Sequence, residues 1–147
     1  MDTPHGPKHV IVVGIDGSKS SVATLEWAVH QAELTGSTLE VLTMWEWPLN
    51  YGGISPLPAD YDPASEAALV LRDLLQSVRD DHPDVVIHSV VREGRPAPML
   101  VEASREADLL VVGTHGRNEL SSVLLGSVSE HCAHHALCPI VIIRDFA

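Results

Sequence analysis

Gly113-Thr114-His115-Gly116, followed by nine residues and then Gly126-Ser127, is the stretch whose residue types and spacing point most directly to chemistry. It comes directly after the apolar run Leu109 to Val112. Glycines where a strand ends let the backbone turn sharply and let a ligand approach without a Cβ in the way. A Gly-Ser pair where a helix starts would aim N–H groups and a hydroxyl at an anion such as a phosphate. The stretch has no Gly-Lys-Ser/Thr ending of a Walker loop and no Gly-x-Gly-x-x-Gly of the dinucleotide folds. On the residues alone two readings stay open: an anion cradle, or glycines that only make tight turns. His131 and His135 stand one helical turn apart, with His134 beside them, and invite a zinc reading. Beyond Glu130 and Cys132, no further ligand type at matching spacing completes such a site, so the three histidines are read as structural.

The elements that must position these residues follow from periodicity. Continuous apolar, β-branched runs occur at His9 to Ile15, Thr38 to Trp45, Val85 to Val91, Leu109 to Val112 and Ile140 to Ile143. Runs of this kind form strands covered on both faces. Between them, helical spacing links Val22, Leu25, Val29 and Ala32, then Ala67, Leu71, Leu74, Leu75 and Val78, then Leu100, Ala103 and Ala107. Gly36 stops the first helix, Asp62-Pro63 opens the second, and His82-Pro83 closes it. A fourth helix is expected from Ser127, with Val128, Cys132 and His135 on one face. Strands alternating with helices require a mostly parallel sheet with right-handed crossovers. The expectation is an α/β fold, a doubly wound five-stranded sheet of Rossmann or flavodoxin type with helices on both faces and strand order 3-2-1-4-5. Ligands in such folds bind beyond the carboxyl ends of the strands, at the switch point.

At 147 residues and 45% hydrophobic content the chain is read as one domain with a genuine core. Residues 1–8 are expected to be a flexible tail, and 46–61, with Pro48, Gly52, Gly53, Pro56 and Pro58, a long irregular loop. A loop of that length is either a functional lid or a variable surface excursion. Twenty acidic residues against nine Lys and Arg give a formal charge of −11, which argues against nucleic acid and anionic membranes as partners. Cys132 and Cys138 fit no zinc or Cys-x-x-Cys spacing and suit a reducing, cytoplasmic setting. No run approaches the roughly 20 apolar residues that span a bilayer.

Gly-x2-Gly-x9-Gly-Ser after a fourth strand resembles the ATP-binding signature of the universal stress protein family, matched here at Gly113, Gly116, Gly126 and Ser127. Val13-Gly14-Ile15-Asp16-Gly17-Ser18 resembles that family's first strand and turn. Glu93 to Ala97, Ala107 to Gly113 and Cys138 to Ile142 resemble further family stretches, so nearly the whole chain is covered. The resemblance implies an ATP, with Mg²⁺ on its phosphates, held between two strand ends. By position, Ile15 and Asp16, with Gly17 and Ser18 in the same turn, lie against base and ribose, and Met44 meets the adenine through its backbone. His115, Gly116, Arg117, Gly126, Ser127, Val128 and Ser129 surround ribose and phosphates, and Gly113 lets the chain pass close.

Beside a triphosphate, Asp16 is assigned to ribose or base contact, with capping of the following turn as a compatible second role. Arg117, inside the motif, is a better phosphate cation than Lys19, which sits at a helix start. Trp45 and Trp47 are read as packing the end of the sheet, with stacking on the adenine the alternative for Trp45. No general base or charge-stabilising cluster stands out, so no catalytic residue is assigned and little hydrolysis is expected. The final strand, Pro139 to Arg144, is expected at a sheet edge, where pairing with a second copy would cover it. The resemblance implies a homodimer through that strand.

Overall fold

The computed structural model describes residues 9–47, 59, 60, 62–114 and 125–144. In chain order these form β1 (Val10–Gly14), α1 (Lys19–Thr35), β2 (Thr38–Trp45), α2 (Pro63–Asp81), β3 (Ile87–Glu93), α3 (Pro96–Ser104), β4 (Leu109–Gly113), α4 (Ser127–His135) and β5 (Ile140–Ile143). Every strand pairing is parallel, and the sheet order is β3-β2-β1-β4-β5, as predicted. β1 is central, with Ile11 opposite Leu39 of β2 and Leu109 of β4.

The strand period of two sorts apolar side chains onto two faces. Ile11 and Val13 join Leu25, Val29, Leu71 and Leu75 under α1 and α2, while Val12 joins Leu100, Leu110, Val112 and Cys132 under α3 and α4. Each large aliphatic side chain so buried contributes about 1.5 to 3 kcal/mol over exposure. Helix boundaries follow local chemistry. Gly36 ends α1 in the left-handed conformation (φ 69°), its N–H donating to the Ala32 carbonyl. Asp62 caps α2, accepting from the Ser65 N–H at 3.2 Å and the Ser65 hydroxyl at 2.7 Å, with Pro63 in the first turn. His82 Nδ1 lies 2.6 Å from Glu33 Oε2 and ties the ends of α1 and α2 together.

Three expectations are corrected. The third strand runs from Ile87 to Glu93 rather than from Val85 to Val91, because its far end is set by the ladder to β2, where Gly94 N–H donates to the Trp45 carbonyl. α3 stops at Ser104, short of Ala107, as the Ser104 hydroxyl bonds back to the Val101 carbonyl and accepts from the Leu137 N–H. Nor are all strands covered on both faces. β3 exposes His88, Ser89, Arg92 and Glu93 and only half-buries Val90 and Val91, and all four residues of β5 are only half-buried. Both are edges. The tail 1–8 and residues 48–58 and 61 of the expected long loop lie outside the described residues.

Candidate functional site: the cleft at the switch point

β1 hands the chain to α1 on one face of the sheet, while β4 leads to α4 on the other. The two strands are paired neighbours, so the crossovers diverge where they end. A cleft opens there, with about 580 Å³ of empty space counted out to open solvent. Gly14, Ile15, Asp16 and Met44 line it from the strand ends, Ser20, Ser21 and Thr24 from α1, and Pro96 and Leu100 from α3. Val112, Gly113, Thr114, Gly126, Val128 and Ser129 complete it from β4 and the start of α4. Three helix N-termini therefore border one cavity. Each presents the positive end of its peptide dipoles, so anionic groups are favoured there despite the chain's net negative charge.

The β1–α1 turn is built around one carboxylate. Asp16 Oδ1 accepts from the Ser18 N–H at 2.9 Å and the Ser21 hydroxyl at 2.8 Å, while Ser21 Oγ accepts from the Asp16 N–H at 3.0 Å. Gly17 takes a φ of +82°, where a Cβ would come within 2.7 Å of Val70 Cγ1. Glycine is therefore required twice over, by backbone conformation and by space. At Gly14 an added Cβ would meet the Leu100 methyls at 2.9 Å, so the missing side chain lets α3 close on the strand end. Thr24, almost fully buried, donates its hydroxyl to the Ser20 carbonyl at 2.8 Å.

Across the cleft, α4 begins without a side-chain cap. The Gly126 N–H is already used, donating to the Thr114 carbonyl at 2.6 Å. The Ser129 hydroxyl also turns inward, to the carbonyls of Thr114 and Gly126 at 3.0 and 3.1 Å. These bonds correct the expectation that the glycine would offer its own N–H to a ligand: they close the strand-to-helix turn instead. Behind this wall, burial pushes the Cys132 thiol up to about 11. Cys138 is also raised, by burial and by nearby Asp108.

Of the sequence-predicted site residues, Ile15, Asp16, Met44, Gly113, Gly126, Val128 and Ser129 line the cleft. Gly17, Ser18 and Ser127 stand beside it without lining it. His115, Gly116 and Arg117 lie outside the described residues. Ser20, Ser21, Thr24, Gly14, Pro96, Leu100, Val112 and Thr114 line it without having been assigned to the site from the sequence. The hydroxyl-rich start of α1 was the available signal for the first three. Trp45 and Trp47 pack edge-to-face at the end of β2, with ring centroids 5.6 Å apart, and do not line the cleft. His131 and His135 are exposed, with ring centroids 4.5 Å apart. Among the described residues no group of three or more His, Cys, Asp or Glu side chains is placed to hold a metal.

A parallel doubly wound sheet with a cleft at its switch point defines the class of protein. The model of the universal stress protein family matches residues 8–144, and the chain belongs to that family. A universal stress protein of Mycobacterium tuberculosis is 37% identical over 144 residues, which are 96% of this chain and 44% of that protein. The chain thus spans about half the length of the curated relatives it matches. A solved universal stress protein in complex with cAMP is 27% identical, with a TM-score of 0.69, covering 93% of this chain and 97% of that one. UspA from Lactobacillus plantarum has a TM-score of 0.74 at 20% identity, covering 95% and 100%, a likeness of fold. Among the described residues no helix is long and apolar enough to cross a membrane.

Proposed function

We propose that this chain is a cytoplasmic, adenine-nucleotide-binding regulator or sensor of the stress response, holding ATP in the switch-point cleft with little or no hydrolysis. The observation that carries the reading is one cavity with two chemistries. Ile15, Met44, Pro96 and Leu100 form an apolar wall suited to a base, and the starts of α1 and α4 form a polar wall suited to ribose and phosphate. The cAMP complex of the related protein supports an adenine nucleotide as the ligand.

The residues fit such a ligand. Small residues and helix starts take the anionic side, and one carboxylate, Asp16, is partly neutralised by the hydrogen bonds of its own turn. In this reading Asp16, Gly113, Gly126, Val128 and Ser129 hold the nucleotide together with the predicted Gly17, Ser18, His115, Gly116, Arg117 and Ser127, and Mg²⁺ rides on the phosphates. ATP bound there would bring a polyanionic triphosphate to the helix starts. An Asp16 carboxylate engaged by Ser18 and Ser21 is poorly placed to act as a base for water, which supports slow hydrolysis at most. The domain reading is one nucleotide-binding domain over residues 1–147, paired with a second copy through β5, whose apolar residues are half-buried at the sheet edge.

Mass spectrometry of the denatured purified protein, with thermal shifts against Mg-ATP, AMP and cAMP, tests the reading. A retained adenine nucleotide, and a melting temperature raised by at least one of the three ligands, is the expected result. Protein that retains no nucleotide and shows no shift at millimolar ligand would sink it.

A further inference from the structure

β3 closes one margin of the sheet, and among the described residues no strand lies beyond it. Its ladder to β2 runs from Leu39 N–H on the Val86 carbonyl to Gly94 N–H on the Trp45 carbonyl. Parallel pairing alternates which residues bond to the neighbour. The even-numbered residues of β3 therefore face β2, while Ile87, Ser89, Val91 and Glu93 point their N–H and carbonyl groups outward. Grooves flank this open edge on both faces. Toward α2, Leu71, Leu75 and Val91 form an apolar floor rimmed by Arg72, Gln76 and Arg79. Toward α3, Leu42, Met44, Val90 and Met99 form a second floor, bordered by Arg92 and Arg105 and by Glu40, Glu102 and Glu106.

The charge of the two grooves differs. The chain carries 20 acidic residues and only nine Lys and Arg, yet no carboxylate lines the α2-side groove. Arg79 makes no ion pair among the described residues, and Arg72 only approaches its neighbour Asp73 at 3.8 Å, with both side chains exposed. An exposed pair of this kind contributes little.

We propose that the β3 edge takes up an extended segment of a partner protein, in which acidic and apolar residues alternate, as a sixth strand. The outward backbone groups of Ser89 and Val91 supply its hydrogen bonds. Side chains of an added strand alternate between faces. The acidic set belongs on the α2 side, where Arg72 and Arg79 wait, because the α3 side already carries three glutamates. The apolar set then covers Val90 and Met99. Along α2 the two arginines are about 10 Å apart. Same-face residues of a strand repeat at roughly 7 and 13 Å, a mismatch that flexible arginine side chains absorb. The net charge of −11 does not forbid this, since at physiological salt charges beyond about 8 Å are largely screened and the local arginines dominate.

The probe is a fluorescent acetyl-Val-Glu-Val-Glu-Val-Glu-Val-Glu amide, read by anisotropy on the full chain at physiological salt, with the Val-Lys repeat as control. The acidic peptide is expected to bind at least about tenfold more tightly than the basic one. Hydrogen exchange should slow at the Ser89 and Val91 amides. Arg72→Glu with Arg79→Glu should weaken binding by about tenfold or more, as each exposed charge pair becomes a repulsion. Ser89→Pro, which removes an outward N–H and no ladder bond, should abolish it. Should that proline prevent folding, the exposed arginine reversals decide alone. The proposal is overturned by equal binding of both peptides, by no binding, by protection at β5 instead, by indifference to the arginine reversals, or by a self-association that Ser89→Pro abolishes.

Discussion

Thr43 shows how a single atom can carry a prediction whose sign runs against the usual effect of core substitution. It lies on β2, 5% exposed, and its hydroxyl oxygen has no hydrogen-bond partner among the described residues. A buried hydroxyl left unpaired costs about 1 to 3 kcal/mol of desolvation, which an apolar group of the same shape avoids. Thr43→Val should therefore stabilise the protein by about 1 to 2 kcal/mol, seen as a higher urea midpoint at unchanged slope. A lower midpoint would mean that the hydroxyl has a partner in solution. The β1–α1 turn presents the opposite case, with every polar atom of Asp16 and Ser21 named above engaged. Asp16 was legible in the sequence as a residue that caps the turn into α1. Ser21 was not, because its role depends on the turn folding back by five residues.

At the scale of elements, α2 offers a cap that titrates. Hydrogen bonds from the Ser65 hydroxyl and N–H hold the Asp62 carboxyl below the usual carboxylate range. A depressed folded value means that the stabilisation is present above the unfolded value, about 3.9, and is lost as pH falls through the lowered one. Asp62→Ala should lower the urea midpoint at pH 7, and the gap from the parent should close progressively as the solution is acidified below pH 4. A gap that persists in acid would place the effect in helix propensity instead of the charged cap. The same elements show what a sequence reveals. Strands buried on both faces, such as Val10–Gly14 and Leu109–Gly113, announce themselves as apolar runs. The largely exposed β3 does not, and its far end is set by hydrogen bonds to β2 rather than by its own residues. The cleft divides likewise. Residues on strand ends and in the glycine motif were recognisable, whereas Thr24, Pro96 and Leu100 reach it only through the way α1 and α3 lean over the sheet.

For the molecule as a whole, the two edges of the sheet differ in character. β3 carries His88, Ser89, Arg92 and Glu93, side chains that discourage a copy of itself from docking. β5 offers Ile140, Val141, Ile142 and Ile143, each half-buried, and among the described residues β4 is the one strand paired with it. The proposed dimer through β5 joins two chains of charge −11, so its apolar contact works against a like-charge repulsion. Salt shortens the range of that repulsion, from roughly 30 Å at 0.01 M to about 8 Å at 0.15 M, and leaves apolar burial in place. Sedimentation should therefore show dimerisation tightening several-fold as salt rises across that range. Ile142→Lys, which sets like charges near each other across a two-fold axis, should leave a folded monomer. A dimer that loosens as salt is added would instead be held by ion pairs, for which the apolar Ile140–Ile143 offers no charge.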